Sequence, residues 1–317
     1  MKLAAVFPGQ GSQSPGMLGD LSGDYKVVTE TFAEASDHLG YDLWDMAQNG
    51  TAEQQRETEV TQPLVYVGGV AMWRVWQQLE MPIPSFLAGH SVGEYAAITA
   101  AGCIDFATGV KLVALRGKLM ASAVEPGVGG MAALLGMDDA DVDAICKELT
   151  TDDGVVEAVN FNSPGQVVIS GHLKALENAC VVAKEKGARK AMLLPVSVPN
   201  HSSLMQPARV ELAEAIASAG IVAPKIPVVQ NAEAKVLNGI AAITASLQLH
   251  VTNPVYWTDS IRYLSDKGVT ELVELGPGKV LAGLCKRIDK SLTTHAIESL
   301  GAVEKLIEAR KESVADA

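Results

Sequence analysis

A short apolar segment, Ser85–Ala88, runs directly into Gly89-His90-Ser91-Val92-Gly93, and an alanine-rich stretch of helical character follows over Glu94–Ala101. Strand, tight turn and helix in that order point to an α/β chain and match the G-x-S-x-G nucleophile elbow. The reason is steric. A serine on a sharp strand-to-helix turn needs small neighbours, so that the backbone can bend and the hydroxyl can stand clear. The helix that follows directs its unpaired N–H groups and positive dipole end at the serine, which favours a developing oxyanion. The five residues alone also describe an ordinary glycine-rich turn; the flanking strand and helix favour Ser91 as a nucleophile.

The rest of the 317-residue chain alternates in the same way. Leu3–Phe7 reads as a buried strand that ends in a Pro-Gly-Gln-Gly-Ser loop. Thr61–Leu79 and Phe106–Val124 read as long helices. The pattern changes after the Glu125–Gly130 linker. Met131–Leu135, Val155–Phe161, Gln166–Ser170 and Lys190–Pro195 read as strands, and Asp138–Leu149 and Leu173–Lys186 as helices. Their order is βαββαβ, the ferredoxin-like unit. Entered through glycines and left through Val198-Pro199, it reads as an insertion over 128–197 into one α/β domain made of 1–127 and 198–317. Beyond it, Ser202–Ala219, Tyr256–Lys267 and a segment from Gly276-Pro277-Gly278 to Arg287 read as helices. Pro227–Gln230 and Leu272–Leu275 read as strands, and the tail from Val303 as a charged helix.

Composition narrows the function. A formal net charge of -12 argues against sequence-independent nucleic-acid binding, which needs basic surface. No apolar run reaches the ~18 residues of a membrane span. The N-terminal apolar run breaks at Pro8, far short of a secretory leader. Cys103, Cys146, Cys180 and Cys285 form no C-x-x-C pair, so neither a zinc site nor a redox motif is expected. A cytoplasmic enzyme without a metal is the expectation.

A serine nucleophile needs a base and an oxyanion site. The elbow supplies one amide, that of Val92, and an early strand-end loop supplies the other, with Gln10 the candidate. Of six histidines, His201 follows the rigid Val198-Pro199-Asn200 turn, a good place to hold a base. Arg116 lies on an otherwise apolar helix face. It is either salt-bridged, for example to Glu125, or kept to pair with a carboxylate through two parallel N–H bonds.

Phe-Pro-Gly-Gln-Gly-Ser-Gln at 7–13, Gly-His-Ser-Val-Gly-Glu-Tyr at 89–95, Leu-Arg-Gly-Lys-Leu-Met at 115–120 and Asn-Ser-Pro-Gly-Gln at 162–166 occur in that order. Val-Pro-Asn-His at 198–201 and Asn-Pro-Val-Tyr-Trp at 253–257 complete the set. With these motifs the chain resembles, over nearly its whole length, the bacterial malonyl-CoA:acyl carrier protein transacylases of type II fatty acid synthesis. The resemblance implies an α/β-hydrolase-like core with an inserted ferredoxin-like subdomain. It implies Ser91 as nucleophile, His201 as base, the Gln10 and Val92 amides as oxyanion hole and Arg116 as the reader of the malonyl carboxylate. It places Gln62 in the pocket and Asn162 near the same cleft. Malonyl-CoA and acyl carrier protein are the implied substrate and partner, with no cofactor.

Two positions depart from the family pattern. The usual Pro-Ser-His is Pro-Asn-His, and a family glutamine is His250. The resemblance assigns position 250 a backbone carbonyl that orients the histidine, a role that survives a change of side chain. Two rivals stand beside this reading: a hydrolase on the same elbow, and a non-catalytic acyl-binding protein.

Overall fold

A computed structural model describes residues 2–315 of the chain. Ten strands form within them: β1 Leu3–Phe7, β2 Phe86–Gly89, β3 Gly129–Leu135, β4 Val156–Ser163, β5 Gln166–His172, β6 Lys190–Leu193, β7 Val228–Gln230, β8 Lys235–Val236, β9 Glu271–Glu274 and β10 Thr293–Ala296. Six of them make one sheet in the order β10-β9-β1-β2-β7-β8, parallel throughout except for the β7–β8 pair. Parallel neighbours require crossovers, and helices supply them on both faces. Along β1, Leu3, Ala5 and Phe7 enter the core beside the helix Thr58–Gln78, and Ala4 and Val6 enter the one beside Trp257–Asp266 and Val280–Ile288. Burial on both faces explains why the strand is an unbroken apolar run. The chain is mixed α/β, as expected.

β1, β2, β7 and β9 run the same way, so the loops after Phe7, Gly89, Gln230 and Glu274 emerge along one edge of the sheet. In open parallel sheets that carboxyl edge is where ligands bind.

The expected βαββαβ order is seen between Gly129 and Leu193. Its strands form a separate antiparallel sheet, β4-β5-β3-β6. Ala132, Leu134, Val167 and Ile169 pack one face against the helices Asp139–Leu149 and Leu173–Glu185. Met131, Val159 and Val168 cluster separately, and Met131 and Val168 line a cavity at Ser91. A short parallel bridge ties this sheet to the rest: Phe161 donates its N–H to the Val255 carbonyl (3.0 Å) and Val255 donates to Val159 (2.7 Å).

Several elements differ from expectation. The helices Val27–Leu39, Leu43–Asn49 and Ile240–Leu249 and the strands β8 and β10 have no counterpart in the sequence reading. The helix expected from Thr61 begins at Thr58 and carries Pro63 inside it. All four cysteines are free and buried. Among the described residues no helix is long and apolar enough to cross a membrane.

Candidate active site

The elbow is built by what its glycines leave out. A Cβ on Gly89 would collide with the Gly93 backbone, and one on Gly93 with the carbonyls of Phe7 and Pro8. Ser91 sits between them at φ 52°, in the left-handed region that costs a non-glycine residue on the order of 1–3 kcal/mol. Hydrogen bonds hold it there. His90 donates its N–H to Phe7 (3.0 Å), and Gly93 donates to the carbonyl of His90 (3.0 Å). The Ser91 N–H donates to Asn231 Oδ1 (2.7 Å), and Asn231 Nδ2 donates to the Gly89 carbonyl (2.6 Å).

Ser91 Oγ lies 2.7 Å from His201 Nε2. On the other side of the ring, His201 Nδ1 is 3.0 Å from the carbonyls of both His250 and Asn253. A carbonyl can only accept, so Nδ1 carries the proton and Nε2 is left to accept one from the serine. The expected His250 carbonyl is in place; the Asn253 carbonyl beside it was not foreseen. Burial, and then the Arg116 cation, push His201 down to about 3, so the ring is neutral at physiological pH.

Arg116 points into the same space. Nη1 donates to Gln62 Oε1 (2.6 Å), and Nη2 donates to Ser91 Oγ (3.2 Å) and lies 3.5 Å from His250 Nδ1. The Tyr95 ring stands 5.7 Å from the guanidinium carbon, and among the described residues Nε has no hydrogen-bond partner. Only 1% of the residue is exposed, yet among the described residues Arg116 makes no ion pair, with Glu125 or any other acid. The acid closest to it in effect is Glu94, also fully buried. Burial pushes that carboxyl up to about 8, so it is mostly protonated at neutral pH. A buried cation among neutral groups is strongly unfavourable until an anion joins it.

Among the described residues the N–H groups of Gln10 and Val92 have no hydrogen-bond partner. Both belong to the loops beside Ser91, and Gln10 lines the cavity of about 100 Å³ that opens on Ser91 and His201. The Gln10 side chain accepts a bond from Asn200 Nδ2 (3.3 Å), so the asparagine that replaces the family serine reaches this loop. Among the described residues Asn162 makes no hydrogen bond to Ser91, His201 or Arg116. Its Oδ1 is 2.8 Å from His90 Nε2, and His90 packs edge-on against Trp257. A larger cavity of about 450 Å³ reaches His201 past Glu157, Thr252 and Tyr256. Among the described residues no group of three or more His, Cys, Asp or Glu could hold a metal ion.

Sequence reasoning missed Asn231 and Glu94. Glu94 Oε2 accepts the Asn231 N–H (2.8 Å), so the two form one unit behind the elbow. Glu94 follows Gly93 within a quoted motif, but nothing marks a glutamate there as buried. Asn231 lies 140 residues from Ser91 in a turn whose residue type suits any loop.

These buried groups set a pH profile for stability. Burial holds His90, His201 and His250 below the ordinary 6.5. Below pH 6.5 the unfolded chain takes up protons on them that the native chain refuses, so stability falls with acid. Glu94 and Glu274, pushed up to about 8 and about 7 from 4.5, keep protons that the unfolded chain releases. Their contribution is full below 4.5 and is lost as pH rises through 7 and 8. Between 4.5 and 6.5 the two slopes oppose each other, and the thermal midpoint should plateau there and decline on both sides. Glu94→Gln, which keeps an acceptor for Asn231 without titrating, should flatten the alkaline limb. Calorimetric scans from about pH 3.5 to 9 check this; a midpoint that climbs steadily past neutrality contradicts it.

Residues 5–307 match the acyl transferase domain family. The chain is 50% identical over 302 residues to the malonyl CoA-acyl carrier protein transacylase of Salmonella typhimurium, covering 95% of this chain and 97% of that one. A crystal structure of an acyl carrier protein S-malonyltransferase from Vibrio cholerae superposes with TM-score 0.93 at 48% identity, covering 96% of this chain and 100% of that one. A malonyl-transacylase solved in complex with its type II PKS acyl-carrier protein superposes with TM-score 0.95 at 45% identity, over 98% of this chain and 100% of that one. By sequence and fold, over nearly its whole length, the chain belongs to the acyl transferase family, with the malonyl CoA-acyl carrier protein transacylases as its relatives.

Proposed function

We propose that the chain transfers malonyl groups from malonyl-CoA to the phosphopantetheine thiol of acyl carrier protein, through a malonyl ester on Ser91. It acts as an S-malonyltransferase that supplies extender units for fatty acid synthesis. The observation that carries the reading is Arg116, a buried cation without an acid partner among the described residues, whose Nη2 stands 3.2 Å from the Ser91 hydroxyl. An acyl group with a free terminal carboxylate completes that site. The test is a panel of malonyl-, methylmalonyl- and acetyl-CoA with purified holo acyl carrier protein. Malonyl should load the enzyme and discharge onto the carrier thiol; loading that ends only in release to water would make the chain a hydrolase.

Each step has a residue. His201 Nε2 takes the Ser91 proton as Oγ attacks the thioester carbonyl. The developing oxyanion accepts the amides of Gln10 and Val92. CoA leaves as its thiol, taking that proton from His201 and freeing Nε2 again. The carrier thiol then gives its proton to His201, its sulfur attacks the malonyl ester, and Ser91 leaves and is reprotonated. Gln62 holds Arg116, and the carbonyl of His250 keeps the His201 tautomer. A thioester is a reactive acyl donor, so a histidine oriented by carbonyls suffices as base. Asn162 supports the cleft through His90. The reaction as written calls for no cofactor or metal.

The same reading takes the six-stranded body, 1–127 and 198–317, as an α/β-hydrolase-like catalytic domain, and 128–197 as a ferredoxin-like inserted subdomain. The antiparallel order β4-β5-β3-β6 and the glycine-rich entry at Gly127–Gly130 support it. Substrates of this kind make the cytoplasm the expected location.

Carrier proteins are acidic, and so is this chain, so docking needs a local basic surface. Lys184, Lys186, Arg189 and Lys190 are exposed on 128–197, and Lys286 and Arg287 are exposed on the late helix Val280–Ile288. Lys186 is already paired with Glu148 (2.7 Å), and Arg287 donates to Gln166 (2.9 Å). Reversing Lys184, Arg189, Lys190 and Lys286 should raise KM for carrier protein and leave KM for malonyl-CoA unchanged. Equal effects on both substrates would remove this surface from docking.

A further inference from the structure

We infer that Asn231 is a positioning residue for acyl transfer, its carboxamide clamping the two peptide groups that flank His90 and so fixing the Ser91 hydroxyl and the Val92 amide in register. The inference rests on the malonyl-transfer reading of the site.

All four polar groups of Asn231 are engaged. The side-chain oxygen accepts the Ser91 N–H at 2.7 Å, and the side-chain nitrogen donates to the Gly89 carbonyl at 2.6 Å. Its backbone N–H donates to Glu94 Oε2 at 2.8 Å, and its carbonyl accepts the Tyr256 N–H at 3.0 Å. One residue therefore joins the end of β2, the nucleophile, the helix Gly93–Ala100 that follows it and the start of Trp257–Asp266. Asn231 is 2% exposed. Around it, a left-handed Ser91 at φ 52° would relax toward ordinary backbone if the flanking peptides were released.

The clamp also selects the oxyanion donor. With the Ser91 N–H committed to Asn231, the elbow offers the cleft the N–H of Val92, which has no partner among the described residues. An amide side chain suits this task because it presents one acceptor and two donor hydrogens in a fixed plane. An ionised carboxylate lacks the donor for Gly89.

Asn231→Ala should lower kcat about 10- to 100-fold for malonyl and acetyl transfer alike, somewhat less than the roughly 100- to 1,000-fold lost when an oxyanion-site donor is removed outright. KM for malonyl-CoA and the malonyl-to-acetyl ratio should stay within about twofold, because Arg116 is untouched. Asn231→Asp should lose as much at neutral pH, and recover relative to wild type as pH falls. A protonated carboxyl has an O–H for the Gly89 carbonyl and an oxygen for the Ser91 N–H. The titratable and charged groups facing the clamp are Glu94 on its helix, Glu233 on its own loop, Arg116, His90, His201 and His250. Dividing by wild type at each pH removes what these contribute to both proteins.

The readouts are the rate of Ser91 acylation by intact mass, steady-state transfer, and a thermal melt to establish folding. Should Asn231→Ala not fold, Asn231→Asp and its pH profile carry the test. A folded Asn231→Ala within about threefold of wild type, a loss confined to KM, or a folded Asn231→Asp without recovery in acid would overturn the inference. Wild type that takes up no malonyl on Ser91 would instead defeat the transfer reading beneath it.

Discussion

Ser91→Ala should take up no malonyl group from malonyl-CoA, and transfer to acyl carrier protein should fall by at least about four orders of magnitude. The proposed covalent intermediate needs an oxygen at this position. Ser91 Oγ is the hydroxyl that His201 Nε2 approaches to 2.7 Å and that the Arg116 guanidinium meets at 3.2 Å. Removing it leaves the base, the Gln10 and Val92 amides and the Arg116–Gln62 pair, so a bound thioester would still be polarised but not attacked. Malonyl-CoA affinity should change only a few-fold, since Gln62 continues to hold Arg116 at 2.6 Å. Loss of the adduct with binding retained separates a missing nucleophile from a collapsed site. An adduct of undiminished yield on the mutant would remove Ser91 from the mechanism.

Arg116→Ala should collapse the preference for malonyl over acetyl. The two acyl groups differ by one carboxylate, and on the proposed reading only malonyl gives the buried guanidinium a counter-charge. Leaving one member of such a desolvated pair alone costs about 2–5 kcal/mol, or roughly thirty-fold to several thousand-fold in kcat/KM. The mutant should lose most of that ratio through malonyl. Acetyl transfer should hold or improve, because the unpaired cation is gone. Arg116→Lys should restore only part, since an ammonium cannot present two parallel N–H bonds. The mutation carries a second signature. After burial, the Arg116 cation is the largest influence holding His201 down to about 3. Without it the imidazole protonates at higher pH, and the acid limb of acetyl transfer should move toward neutrality. An unchanged malonyl-to-acetyl ratio would mean that another group reads the carboxylate.

The residues that were legible in the sequence are those whose local backbone task leaves a local mark. Gly89 and Gly93 announce the elbow because a side chain at either would strike a neighbouring backbone. The Asn162–Gly165 turn separates β4 from β5 because Gly165 takes φ 72°. What stayed hidden is non-local. The turn before it marks His201 among six histidines, but only the fold brings it to within 2.7 Å of Ser91 across 110 positions. Nothing around Arg116 in the chain says that it has no acid partner, and Asn231 looks like any asparagine after a strand. The unread helix Val27–Leu39 did carry a signal, since Val28, Phe32 and Ala35 lie at helical spacing on its buried side. The two-residue β8 and the half-exposed edge strand β10 carried almost none.

The four buried cysteines bear on the company this chain keeps. Its donor releases a thiol and its acceptor is a thiol, so it works among thiols. Thiol–disulfide exchange begins from a thiolate. Burial holds Cys103 up at about 11 and Cys146 at about 12, and raises Cys180 and Cys285 as well. None of the four side chains is more than 8% exposed. The sulfur chemistry is thus left to the substrates: on the proposed mechanism the chain offers them an oxygen nucleophile, and burial keeps its own thiols protonated at neutral pH.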